Sequence, residues 1–154
     1  MRNHDALPGA DDIARTVLPN GIVVLVRENH NARSVVLTGS INAGSLYERP
    51  EQAGLASFLA SALLRGTHSR DFSTIHEMLE SNGASLSISG GRHTAGFGGK
   101  SLAEDLPMLL DLLADALRNP ALPNEQVERL RGQIVTGIKI REQDTRYVAG
   151  HMFR

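Results

Sequence analysis

Residues 54–67 read Gly54-Leu55-Ala56-Ser57-Phe58-Leu59-Ala60-Ser61-Ala62-Leu63-Leu64-Arg65-Gly66-Thr67. Leu55, Phe58, Leu59, Ala62 and Leu63 recur at the spacing of one buried helix face. That periodicity predicts an amphipathic helix over residues 50–65, with those side chains in the core. Ser57 and Ser61 lie four positions apart and therefore share a face. Two imidazoles at this spacing can hold a metal ion, whereas serine offers only neutral hydroxyls. Ala60 can neither take up nor release a proton.

Upstream, the sequence is β-like. Residues 14–18 suit a short strand, and Pro19-Asn20-Gly21 a turn, because Asn-Gly readily takes positive φ. Ile22, Val23, Val24, Leu25 and Val26 lie in a run over residues 22–27 suited to a strand largely buried on both faces. Residues 34–42 alternate well enough for a third strand, which Ala43-Gly44-Ser45 ends. Residues 1–12 are polar, with Pro8, Gly9, Asp11 and Asp12, and read as a flexible lead-in.

Downstream, a helix is predicted over residues 73–81, with Ser73 as N-cap and Asn82-Gly83 as stop. Two strands follow over residues 84–89 and 92–99, joined by a Gly90-Gly91 hairpin turn. A helix over residues 102–117 carries Leu102, Leu106, Leu109, Leu110, Leu113 and Leu117 on one stripe, until Asn119-Pro120-Ala121-Leu122-Pro123 breaks it. A last helix opens near Asn124 and shows no stop signal toward Arg154. The order β-β-β-α-α-β-β-α-α predicts an α+β fold: a mostly antiparallel sheet with helices packed on one face.

With these elements in place, Gly54, Leu55, Ala56, Phe58, Leu59, Leu63, Arg65, Gly66 and Thr67 resemble the zinc-binding helix of the insulinase/pitrilysin (M16) metallopeptidases, G-L-A-H-F-L-E-H-x-L-x-[KR]-G-T. Leu18-Pro19-Asn20-Gly21 and the Ala43-Gly44-Ser45 strand end resemble the opening of such a domain. The resemblance implies two histidine ligands at the positions of Ser57 and Ser61, and a general base at Ala60. It places the family's third ligand, a glutamate, at Gly137 and a supporting glutamate at Leu130, within Glu128-Arg129-Leu130-Arg131-Gly132-Gln133-Ile134-Val135-Thr136-Gly137. The separation of Ser61 from Gly137 is the one such enzymes show, so the alignment keeps register while five catalytic positions are vacant together. No catalytic residue and no metal ligand is expected, and zinc is expected to be absent.

The resemblance further implies pairing. In this family an active zinc-bearing chain often associates with an inactive one that closes a peptide-binding chamber. The expected partner is therefore a catalytically active M16 subunit, or a second copy of this chain, with an unfolded peptide as a possible ligand. Leu86, Ser87, Ile88 and Ser89 fall where the family holds peptide by strand addition, although the family's usual Asn-Ala pair is missing. Two alternatives stand beside this reading: a structural subunit of a larger complex without proteolytic role, and a zinc peptidase with displaced ligands. Family domains are longer than this chain, so residues 13–154 are expected to be a first M16-like domain cut short at its C-terminal end.

Other constellations carry less. His76-Glu77-Met78-Leu79-Glu80 evokes H-E-x-x-H but ends in glutamate, and two ligands do not make a zinc site. His93 is expected in the strand after Gly90-Gly91. Gly96-Phe97-Gly98-Gly99-Lys100 lacks phosphate-loop spacing; the glycines at 90, 91, 96, 98 and 99 suit a softened strand or a close backbone approach.

Composition sets the outer bounds. The chain has 154 residues, 41% hydrophobic and 21% charged, enough for one cored domain. A net charge of −1 gives no footprint for nucleic acid, and no apolar run is long enough for membrane insertion. Cysteine is absent, which excludes disulfides and thiolate metal sites. Residues 1–12 contain no signal-peptide core, and the compartment stays open between bacterial cytoplasm and periplasm.

Overall fold

The computed structural model describes residues 9–152. The chain divides at Arg33/Ser34 into two units. The first holds a hairpin of β1 (Ala14–Val17) and β2 (Val23–Val26), paired antiparallel from Ala14↔Val26 to Val17↔Val23. Leu18 N–H donates to Ile22 O across the turn, and Gly21 takes φ +84° as its Asn-Gly sequence requires. The expectation that the 22–27 run is buried on both faces is not met: Val23, Leu25 and Val26 remain about half exposed. A two-stranded hairpin has no second layer of its own. The lead-in expected over residues 1–12 lies outside the described residues up to Pro8, and Ala10–Asp12 forms one 3-10 turn.

The second unit contains β3 (Ser34–Ile41), α1 (Leu55–Ala62), α2 (Phe72–Ser81), β4 (Ser85–Gly90), β5 (Ala95–Leu102), α3 (Leu106–Arg118), α4 (Asn124–Gln143) and α5 (Thr145–Met152). Its sheet runs β3-β5-β4, antiparallel throughout, with Leu37↔Gly99 and Ile88↔Phe97 fixing register. Leu86 and Ile88 point toward the helices, while Ser85, Ser87 and Ser89 face solvent. This alternation is what a sheet covered on one face demands. Two adjoining clusters form the core. Ala60, Ile88, Leu113 and Ala116 make one; Ile75, Leu79, Leu109 and Leu112 make the other. The α+β expectation holds.

Several boundaries differ from the sequence expectation. The helix expected over residues 50–65 is three pieces: a 3-10 turn at Pro50–Gln52, α1, and a 3-10 turn at Leu63–Arg65. Gly54 takes φ +94° between the first two, a left-handed conformation that ends helical continuity. Ala60 and Ala62 are the residues of α1 that are buried, whereas Leu55 and Leu59 are nearly half exposed. Alanines bury because α1 lies very close to β4: a Cβ on Gly90 would meet the Ala56 carbonyl oxygen at 2.6 Å. The expected close backbone approach is thus found at Gly90.

The N-cap of α2 is Asp71, not Ser73; its carboxylate accepts the Thr74 N–H at 2.8 Å. This bond holds the Asp71 carboxyl below its ordinary pKa. The hairpin between β4 and β5 turns through residues 91–94, closed by Gly91 N–H donating to Thr94 O at 2.9 Å. His93 therefore sits in the turn and not in a strand. β5 continues to Leu102, so the following helix starts later than expected, and its buried stripe is Leu109, Leu112, Leu113 and Ala116, with Leu110 nearly half exposed. The final helix does stop: Asp144 breaks it, and its Oδ1 accepts the N–H of Arg146 at 2.9 Å to cap α5.

Candidate functional site

The residue pattern at 54–67 places Ser57, Ala60 and Ser61 on α1, which packs against β4 on one flank and α4 on another. The Ser61 hydroxyl donates to the Ser57 carbonyl at 2.9 Å, a return bond within the helix. Ser57 Oγ donates to the Gly90 carbonyl on β4, a long 3.4 Å. Ala60 faces inward, 4% exposed, among Ile88, Leu113 and Ala116. Leu130 is buried on α4. Gly137 has open space where a Cβ would stand.

A groove of about 520 Å³ runs between α1 and α4, bringing Ser57 and Ser61 together with Phe58, Ile134 and Ile138. Gly137 is adjacent in sequence to Ile138 on this wall. The two serines and the α4 face are thus neighbours, while Ala60 and Leu130 point into apolar packing. Two hydroxyls engaged with carbonyls, a methyl group and a glycine make no donor set of the kind zinc requires. Among the described residues, no group of three or more His, Cys, Asp or Glu could hold a metal ion. His76 is exposed and meets Phe72 in a tilted ring contact, centroids 4.2 Å apart and planes at 54°.

On its other side α1 borders an apolar pocket of about 620 Å³ lined by Ile41, Leu55, Leu59, Leu63, Phe97 and Leu117, among others. Leu86, Ser87, Ile88 and Ser89 lie in β4, a terminal strand of the three-stranded sheet.

Two polar anchors around α1 were not foreseen from sequence. Glu48 reaches the start of α1: its Oε2 accepts the Gly54 N–H at 2.8 Å and its Oε1 the Ala56 N–H at 2.6 Å. These are two of the donors that every helix start leaves unpaired. Farther along, buried Asp115 of α3 accepts from Thr67 Oγ1 at 2.7 Å, Ser69 Oγ at 2.6 Å, Arg70 Nη1 at 2.8 Å and Asn119 Nδ2 at 3.0 Å. Donation from Ser69 first, then Thr67 and Asn119, outweighs burial and drives its carboxyl far below the usual carboxylate range. Arg70 also bridges to Asp111 at 2.5 Å. A short acidic or Ser/Thr-rich stretch facing a long-range partner has no periodicity, which is why neither anchor shows in the sequence pattern.

The sequence model of Insulinase (Peptidase family M16) matches residues 23–152. The chain belongs to peptidase family M16. It is 30% identical over 135 residues to a probable mitochondrial-processing peptidase subunit beta of Arabidopsis thaliana, covering 88% of this chain and 25% of that protein. It is 32% identical over 130 residues to cytochrome b-c1 complex subunit 1 of Mus musculus, covering 84% and 27%. This M16 chain thus spans about a quarter of the length of those relatives. Its fold also matches the crystal structure of a peptidase M16 inactive domain from Pseudomonas fluorescens, with a TM-score of 0.79 at 23% identity over 90% of this chain and 34% of that one. At that identity the likeness is one of fold.

Proposed function

We propose that this M16 chain is a catalytically inactive subunit that pairs with an active zinc peptidase chain and helps form the chamber in which an unfolded peptide is held. The observation that carries the reading is the state of the α1 face. Where the resemblance puts two imidazoles and a base, Ser61 is turned onto Ser57 and Ala60 is sealed in the core. A zinc hydrolase needs three ligands, a metal-bound water and a proton acceptor. None of these roles has a side chain here to fill it, so the function falls to surfaces: the α1–α4 groove and the outer strand β4 as places to hold peptide.

The name of the Pseudomonas fluorescens domain, whose fold this chain shares, supports the inactive assignment. Relatives named as subunits of multichain proteins support association. A second reading, a subunit without proteolytic role, draws on the comparable similarity to a cytochrome b-c1 complex subunit, 32% over 130 residues.

The test pairs elemental analysis with peptidase assays. Protein prepared without chelator or metal-affinity tag is expected to carry almost no zinc and to cleave no peptide alone. It is expected to raise turnover when co-expressed with an M16 chain bearing an intact H-x-x-E-H from the same organism. About one zinc per chain would overturn the reading; no effect on the partner's turnover would favour the second one.

A further inference from the structure

We propose that Glu48 is a positioning residue that sets the start of α1 relative to β4, and through it the spacing between the α1–α4 groove and the β4 edge. This rests on the peptide-holding reading given above. Gly54, the residue before α1, has no side chain with which to cap the helix, and the Glu48 carboxylate takes that role from outside it, spanning Gly54 N–H and Ala56 N–H. Its negative charge also suits the positive end of a helix.

Glu48 is itself held by the sheet. Ser45 N–H donates to Gly91 O at 3.0 Å and Leu46 N–H to Arg92 O at 2.9 Å, tying the segment before Glu48 to the β4–β5 turn. Gly44 lies so close to that turn that a Cβ would meet Arg92 O at 2.5 Å. The path from turn to Glu48 to α1 is therefore short and hydrogen-bonded at each step. Ser57, one turn into α1, is where the helix reaches back to Gly90 at the end of β4. A shift of the helix start changes that junction, and both peptide-holding surfaces meet there.

The test compares Glu48→Gln, which keeps length but cannot accept from both N–H groups with a charged oxygen, and Glu48→Ala with Asp71→Ala, which removes the cap of α2 instead. The probe is fluorescently labelled, reduced and carboxymethylated α-lactalbumin, with affinity read by anisotropy and backbone protection by hydrogen exchange. Loss of one charged acceptor at a helix start is expected to weaken probe binding by about tenfold in Glu48→Gln, and by more in Glu48→Ala. Amides over residues 54–59 are expected to lose protection in both. Asp71→Ala is expected to lower thermal stability with probe affinity unchanged, which separates positioning from general stability. Equal affinity in wild type and Glu48→Gln overturns the proposal, as does an equal loss in Asp71→Ala. A wild-type chain that does not bind the probe overturns the peptide-holding reading itself, a failure distinct from the other two.

Discussion

The hydroxyl of Ser61 lies 2.9 Å from the carbonyl oxygen of Ser57 and donates to it, turning back onto the helix that carries both. The two side chains that share the α1 face therefore do not converge on a common point in space. One closes on the helix backbone, and the other reaches toward Gly90 of β4. The face is polar yet internally satisfied, and this shapes what substitution there can do.

Ser57→His, Ser61→His and Gly137→Glu together place three ligand-type side chains on exposed or open positions. This triple variant is expected to take up about one zinc per chain, since three protein groups suffice to hold the ion. Peptide turnover is expected to stay at background, because no proton acceptor stands at position 60; such a group contributes about 10²- to 10⁴-fold. Zinc stoichiometry and a fluorogenic peptide assay on the same sample check both halves.

Ala60→Glu is expected to damage the fold before it could serve chemistry. The side chain would enter the cluster of Ile88, Leu113 and Ala116, packed by Leu37, Leu63 and Phe97. Burying an unpaired carboxyl there costs on the order of 3 kcal/mol. Chemical denaturation should show the midpoint falling at unchanged slope; an unchanged midpoint would mean that α1 can rotate to expose position 60.

Asp115→Ala leaves Thr67, Ser69 and Arg70 without their shared acceptor. A loss of about 3 kcal/mol is expected, as for other buried hydrogen-bonded charges deprived of one partner. The wild type also gains a pH dependence. The Asp115 carboxyl is lowered in the folded state, so its contribution is complete above the unfolded carboxylate value, about 3.9. That contribution falls away as pH drops below this value toward the depressed folded one. Stability measured from pH 5 down to pH 2 should decline more steeply in wild type than in Asp115→Ala.

Gly90→Val is expected to push α1 off β4. A Cβ at Gly90 would stand 2.6 Å from Ala56 O and 2.7 Å from Ser57 Cα, and backbone atoms cannot yield as a flexible side chain would. Overpacking of this kind costs about 1–3 kcal/mol. The same residue at Gly96, whose nearest neighbour would be Ser89 Oγ at 3.6 Å, should cost less. Thermal denaturation of the pair gives the comparison.

Periodic features were legible in the sequence, and pairwise ones were not. The antiparallel sheet and the Asn-Gly turn follow from patterns local to a few residues, whereas the buried face of α1 does not: Leu55 and Leu59, expected in the core, are nearly half exposed, and Ala60, outside that set, is buried. The split of the 50–65 segment does not, because Gly54 inside an apolar helical pattern is equally compatible with a continuous helix until Glu48 is seen to cap the residues after it. The stripe expected on α3 includes Leu110, which is nearly half exposed, and omits Leu112, which is buried, because a leucine-rich helix offers several faces of similar hydrophobicity. At the candidate site, the positions on α1 and α4 came from family resemblance. What their side chains do, such as the Ser61 return bond, depends on neighbours that only the fold supplies.

Thr67 and Asp115 are 48 positions apart in the chain. During synthesis on the ribosome, the donors of Thr67, Ser69 and Arg70 emerge well before their acceptor exists, and water must satisfy them until α3 has been made. The segment joining α1 to α2 thus waits for a later part of the chain to fix it. A nascent polypeptide halted before residue 115 would leave that corner open to proteases, whatever helix had already formed on either side.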